Sequence, residues 1–231
     1  MGANASVIDS NDFDGSVTVG SGLTTSLSGG SVEGAQGYAG IGGFSGDFYR
    51  NATGILFGAN ISPVATKLTI TDLTAHSSVS IGGLLAVIDS WDSNNGSCCI
   101  PDLLQVKVDG TTLFTATFNN VLGTNNTVFG TQLTTGGSSG AYPHLGFNPS
   151  WDDQAFDFTG FSPLTNIAHT DSTLDIEFVA AGAGWQGGID ESWAIENLVV
   201  SADVASVPGP ATLGLFGLGL LILGFKQRQR L

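Results

Sequence analysis

Apolar and polar residues alternate with a period of two along much of this chain. Lys67-Leu-Thr-Ile-Thr-Asp-Leu73 alternates cleanly, the pattern of an extended segment with one face in a core and the other in water. Residues 78–89 read as a long strand interrupted at Gly82-Gly83, where a bulge or bend is expected. The clearest hairpin runs from 103–108 through Asp109-Gly110 to 111–118. Asp-Gly supplies the two positive φ angles of a type I′ turn, and both flanks alternate. Residues 173–180 and 193–201 add two later strands, whereas 120–165 read mostly as loop, with Gly136-Gly-Ser-Ser-Gly140 as a flexible stretch. No convincing amphipathic helix precedes residue 207. About nine short strands without helices predict an all-β fold, a single antiparallel two-sheet sandwich.

Composition supports this. Only 11% of residues are charged and 34 are glycine, unsuited to a helical bundle and suited to short strands joined by tight turns. At 231 residues there is room for one large β domain, expected over 1–206, and a distinct segment, 207–231. Charge divides at the same boundary. Lys226, Arg228 and Arg230 lie in the tail, so the body keeps Arg50, Lys67 and Lys107 against 20 acidic residues, a net charge of −17. That field repels nucleic acid and anionic lipid and is compatible with divalent cations and neutral polysaccharide.

The tail reads Val207-Pro-Gly-Pro-Ala-Thr-Leu, then an apolar run to Phe225, then Lys-Gln-Arg-Gln-Arg. Residues 211–225 carry no charge, and with 207–210 they approach the lower limit for a membrane-spanning helix. The basic residues that follow place the C-terminus in the cytoplasm and the acidic body outside. This order of motif, span and basic tag resembles a PEP-CTERM sorting signal, with Pro208, Gly209 and Pro210 as the motif and Gly209 where the family has Glu. The resemblance implies an exported bacterial surface protein, transiently anchored in the inner membrane through 211–225. An exosortase-type enzyme would cleave it near the prolines and release it to the cell surface or extracellular matrix. Ala3-x-Ala5 matches the small-residue pattern that ends a signal peptide, so an export signal is expected upstream. The overlapping match of residues 1–6 to an N-myristoylation pattern is accidental in such a protein.

The body resembles a recurrent domain of PEP-CTERM proteins related to jelly-roll, concanavalin-like modules. The segments that carry the likeness are Phe44-Ser-Gly-Asp-Phe-Tyr, Ala86-Val-Ile-Asp-Ser-Trp-Asp92, Val108-Asp-Gly-Thr-Thr-Leu-Phe114 and Gly184-Trp-Gln-Gly-Gly-Ile-Asp-Glu-Ser-Trp-Ala-Ile-Glu-Asn197. The resemblance implies a jelly-roll-like sandwich followed by a C-terminal hydrophobic helix.

Three acidic clusters sit beside tryptophan: Asp89-Ser-Trp-Asp92, Ser150-Trp-Asp-Asp153 and Asp190-Glu-Ser-Trp193. Hard oxygen ligands on loops are what Ca²⁺ takes. The resemblance adds that an acidic residue on the last strand holds a structural calcium in related modules, a place taken here by Glu196. The candidate ligands are therefore Asp89, Asp92, Asp190, Glu191 and Glu196, set against a role in capping turns and solvating loop ends. Trp91, Trp151 and Trp185 are candidate sugar platforms, since an aromatic face matches the C–H face of a pyranose; Trp193, in an alternating strand, reads as core.

Other matches fail on context. Gly182-Ala-Gly-Trp-Gln-Gly187 fits GxGxxG but no helix follows it. Gly136-Gly-Ser-Ser-Gly140 fits GxSxG without the strand-to-helix elbow. His76, His144 and His169 are isolated in sequence, and Asp152-Asp153 would point to opposite faces of a strand. Adjacent Cys98 and Cys99 leave a vicinal disulfide, a link to another chain or two idle thiols open. The expected function is a non-enzymatic surface module binding extracellular polysaccharide. The alternatives are a glycan-acting hydrolase with an unrecognised carboxylate pair and an inert matrix protein.

Overall fold

The computed structural model describes residues 4–54, 64–94, 99–120, 127, 129–135 and 142–204. They form two antiparallel sheets. The smaller is built from β3 (Thr24–Ser28), β6 (Thr66–Thr71), β8 (Leu103–Val108), β9 (Thr111–Ala116) and β13 (Leu174–Ala181), in the order β3-β6-β13-β8-β9. The larger is organised around two 14-residue strands, β7 (His76–Asp89) and β14 (Glu191–Val204). With β1 (Asn4–Asn11), β2 (Val17–Val19), β10 (Thr131–Gln132) and β11 (Gln154–Asp157) it runs β10-β11-β7-β14-β1-β2. Three short strands attach to this path: β12 (Ile167–Ala168) on β7, β5 (Asp47–Asn51) on β14, and β4 (Ser31–Gly34) on β5.

The alternating segments become strands at their expected places. Lys67 to Thr71 falls in β6, and the hairpin closes with Val108 opposite Thr111. Its turn residues Asp109 and Gly110 have φ of 49° and 75°, both positive, as type I′ requires. Alternation also sets the core. On β13, Leu174, Ile176, Phe178 and Ala180 are buried against Leu85, Val87, Trp193 and Ile195 of the facing sheet in one apolar cluster. Each fully buried side chain of this size contributes about 1.5–3 kcal/mol.

Alternation is lost at Leu84-Leu-Ala-Val-Ile88, because this part of β7 is covered on both faces. Leu85 and Val87 join the main core, while Leu84, Ala86 and Ile88 pack outward beneath Tyr38, Phe44, Phe48 and Leu145 in a second apolar cluster. The irregularity expected at Gly82-Gly83 falls on the partner strand: β14 carries one extra residue between Glu196 and Val199, opposite Gly82 to Leu84. Gly83, at φ 154°, leaves room for it, since a Cβ there would lie 3.1 Å from the Glu196 carbonyl oxygen.

Short strands in the N-terminal region and between 131 and 168 raise the number above the nine expected from alternation. Helix among the described residues is limited to two single 3-10 turns, Gln36–Tyr38 and Ser162–Leu164, and none there is long and apolar enough to cross a membrane. The hydrophobic helix expected at 211–225 and the motif Pro208-Gly209-Pro210 lie outside the described residues.

Candidate functional site

Three chain segments converge where β7 ends and β8 and β14 begin. Asp92 follows β7, Asp102 immediately precedes β8, and Glu191 opens β14. One carboxylate oxygen from each lies within 4.8 Å of the other two. Strand parity explains the burial. Glu191 shares the inward face with Trp193 and Ile195, and Asp102 shares that of Leu104, Val106 and Val108; both carboxylates are 0% exposed. Gly184 lets the 182–188 loop lie against the segment leading to Asp102, because a Cβ there would come within 2.0 Å of the Cys99 carbonyl oxygen.

The fold satisfies half of each buried carboxylate. Asp102 Oδ2 accepts the Asp92 backbone N–H at 2.7 Å, and Glu191 Oε2 accepts that of Gln186 at 2.8 Å. Asp102 Oδ1 and Glu191 Oε1 are buried with no hydrogen-bond donor. Burial, then the Asp102 charge, pushes Glu191 up to about 10, and burial pushes Asp102 up to about 7. Asp92, half-buried, is raised by desolvation and by Asp190. No basic side chain faces these carboxyl groups: among the described residues, ion pairs join Arg50 to Glu33, Lys67 to Asp175 and Glu177, His144 to Asp152 and His169 to Asp109.

Beside this cluster, Asp89 pairs in register with Glu191 and lines a cleft of about 480 Å³ with Gln36, Arg50, Phe147, Asn148, Pro149 and Ile189. The Arg50 guanidinium lies 4.7 Å from the Phe147 ring centre and donates to Ser192 Oγ, Glu33 Oε2 and the Gly188 carbonyl. Asp89 Oδ1 accepts the Asn148 N–H at 2.9 Å, and burial raises its pKa to about 6. Asp153 braces this wall: its carboxylate accepts the backbone N–H groups of Asp89 and Leu145.

The other candidate residues distribute as follows. Of the five carboxylates expected to gather, Asp92 and Glu191 do. Asp190 stands next to them, its Oδ1 accepting from Ser90 Oγ at 2.9 Å. Asp89 turns to the cleft. Glu196 lies on the opposite face of β14, where its Oε1 accepts the Ser45 N–H and hydroxyl. Asp102 was not among the expected ligands. The tryptophans need a larger correction. Trp91 is 0% exposed, in edge contact with Phe118, its indole N–H donated to the Ser192 carbonyl, so it has no face for a sugar. Trp185 is half-buried between Trp91 and Trp193, with ring centres 5.2 and 5.3 Å away, and donates to the Thr53 carbonyl; it packs the loop onto the core. Trp151 is half-buried, its backbone N–H donated to the Asn148 carbonyl. His76 and His169 are not isolated: 93 residues apart, they stack with ring nitrogens 2.6 Å apart. Cys99 is a disulfide cysteine; Cys98 lies outside the described residues.

These features define a class: an all-β sandwich module with a buried carboxylate cluster and a cleft at one end. Residues 206–229 match the model of the PEP-CTERM protein-sorting motif. The chain thus carries a PEP-CTERM protein-sorting motif at its C-terminal end, and that motif implies export and sorting by an exosortase through a C-terminal membrane-transit signal. No curated protein matches the chain. Two solved structures are each 16% identical to it. One is described as the structure of the infectious bursal disease virus Gt strain (TM-score 0.29, covering 84% of this chain), the other as the crystal structure of the infectious bursal disease virus VP2 subviral particle (TM-score 0.23, covering 93%). The chain spans 35% and 53% of their lengths, and likenesses this low carry no argument.

Proposed function

We propose that this exported surface protein is a non-enzymatic module that binds neutral extracellular polysaccharide in the cleft beside Asp89. The cleft carries the reading. At about 480 Å³ it suits one or two sugar rings. Arg50 and Asn148 offer donors and Asp89 an acceptor, while Phe147, Pro149 and Ile189 offer apolar surface to ring C–H groups. Arg50 is already fixed by three acceptors, so little side-chain entropy is lost on binding. A body charge of −17 favours a neutral over an anionic glycan. Hydrolysis is disfavoured because the close-set carboxylates Asp102 and Glu191 are shut away from solvent, and a glycosidase must bring both of its carboxyl groups to the sugar.

Affinity electrophoresis of the full chain through neutral polysaccharides tests this. Ile189 is 70% exposed, so Ile189→Asn should change stability by no more than about 0.5 kcal/mol while abolishing retention. Retention unaffected by that change, or by Phe147→Ala, would remove the cleft as the binding surface. Release of reducing ends would return the reading to an enzyme. For processing, mass spectrometry of surface material should show a C-terminus near Pro210, whereas intact Leu231 would contradict sorting.

A further inference from the structure

We propose that Asp92, Asp102 and Glu191 form a divalent-cation site that takes Ca²⁺. The inference is independent of the glycan reading, since it stands on a different set of groups. Acidic residues often gather without an ion; here the second observation is orphaned acceptors. Asp102 Oδ1 and Glu191 Oε1 are buried with no donor, on carboxylates that are 0% exposed and converge with Asp92. Buried acceptors of this kind are costly unless something positive meets them, and no lysine, arginine or histidine among the described residues pairs with them. The other oxygen of each buried carboxylate is pinned by a backbone N–H, so the orphaned oxygens are held in place before any ligand arrives.

An all-oxygen donor set points to a hard cation. Coordination then discriminates. Ca²⁺ takes six to eight oxygens at about 2.3–2.6 Å in irregular geometry, whereas Mg²⁺ demands a near-ideal octahedron at about 2.0–2.1 Å. Three oxygens within 4.8 Å of one another, on carboxylates two of which are pinned by backbone N–H groups, form a fixed, irregular set of the kind Ca²⁺ tolerates. The occupant competing with a cation is a proton shared between Asp102 and Glu191, and the experiment must separate the two.

Terbium reports on calcium sites through sensitisation by nearby indoles, and Trp91 adjoins Asp92 in sequence. Titration of the chelator-treated full chain with Tb³⁺ should give saturable, tryptophan-sensitised emission that Ca²⁺ displaces at least tenfold more effectively than Mg²⁺. Glu191→Gln and Asp102→Asn should each weaken Tb³⁺ affinity at least tenfold, and Asp92→Asn, the half-buried member, should do so without disturbing the interior. Glu196→Gln, on the opposite face of the sheet, should leave it unchanged. If Glu191→Gln fails to fold, Asp92→Asn decides alone. Absence of saturable emission means that a shared proton fills the site. Emission that survives Asp92→Asn, or that is lost with Glu196→Gln, places the ion elsewhere. Either result overturns the proposal.

Discussion

Strand β14 carries two acidic clusters, one at its start and one at its bulge, and they are built in opposite ways. At the bulge, Glu196 meets Asp12 and Asp14, and donors surround them. Ser45 donates its N–H to Glu196 Oε1, and its hydroxyl, with one proton, lies between Glu196 Oε1 and Asp14 Oδ2. Gly46 and Asp47 give their N–H groups to Asp14, and Asp14 and Ser16 give theirs to Asp12. Hydrogen bonding holds Asp12 and Asp14 below the ordinary carboxylate range, and only buried Glu196, with Oε2 orphaned, is raised. At the strand's start, Asp92, Asp102 and Glu191 are all raised, chiefly by burial. The bulge cluster is a loop fastening in which donors meet every carboxylate and a single buried oxygen, Glu196 Oε2, is left over. The cluster at the start leaves two buried oxygens, on converging carboxylates, without a donor, and the proposed cation site rests on that difference.

Four measurements can break or sharpen this contrast. The largest effect should come from Trp185→Ala. It removes the ring wedged between Trp91 and Trp193 that seats the loop before Glu191, at a cost of about 3 kcal/mol in chemical denaturation. A loss below about 1 kcal/mol would mean that the start of β14 does not depend on core packing. Next comes calcium itself. At 100 times its Kd, a ligand exclusive to the folded state adds about 2.7 kcal/mol; Glu191→Gln should erase that increment in thermal melts and Glu196→Gln should keep it. Third, in chelator, the signs should differ. Asp102→Asn should raise Tm by removing a desolvated negative charge, whereas Ser45→Ala should cost about 1 kcal/mol by taking donors from Glu196 and Asp14. Two shifts of the same sign would erase the distinction between the clusters. The smallest effects are in pH. Asp12 and Asp14, depressed on folding, contribute stability present above their unfolded pKa and lost as pH falls through the folded one. Asp89 behaves oppositely: raised from 3.8 to about 6, it stabilises the protonated fold and loses that contribution as pH rises between those values. Asp89→Asn should flatten that part of the Tm–pH curve and leave the acid limb unchanged.

Period-two alternation located β6, β8, β9 and β13, where it is the direct imprint of one face in the core, and the less buried parts of β7 and β14, strands that are elsewhere covered on both faces. It was silent on β2, β4 and β10, which are short and bury little. The site was only half legible. Asp92 and Glu191 stood out beside tryptophans, but adjacency on the chain also drew in Asp89, which turns to the cleft, and Asp190, which stands beside the cluster, while the family resemblance drew in Glu196, which the pleat sends to the opposite face of β14. Asp102 was hidden in the flank of a hairpin. The signal that could have found it was parity: counting back by twos from buried Val108, Val106 and Leu104 reaches Asp102, an acid on the inward register. The same count from Ile195 and Trp193 reaches Glu191. Two carboxylates on inward registers of facing sheets are unusual enough to suggest that something binds between them. The tryptophans misled because an indole beside a carboxylate reads alike whether it faces water or the interior.

Glu191 opens a strand of the large sheet and Asp102 immediately precedes a strand of the small one, so whatever joins them fastens one half of the sandwich to the other at its end. A fastening made of Ca²⁺ would be scarce in the cytoplasm and plentiful outside. The chain would then travel to the membrane with that seam unlatched, as a translocated polypeptide must, and close only on arrival. The same two carboxylates would act as a timer that lets the protein become fully rigid at its destination and not before.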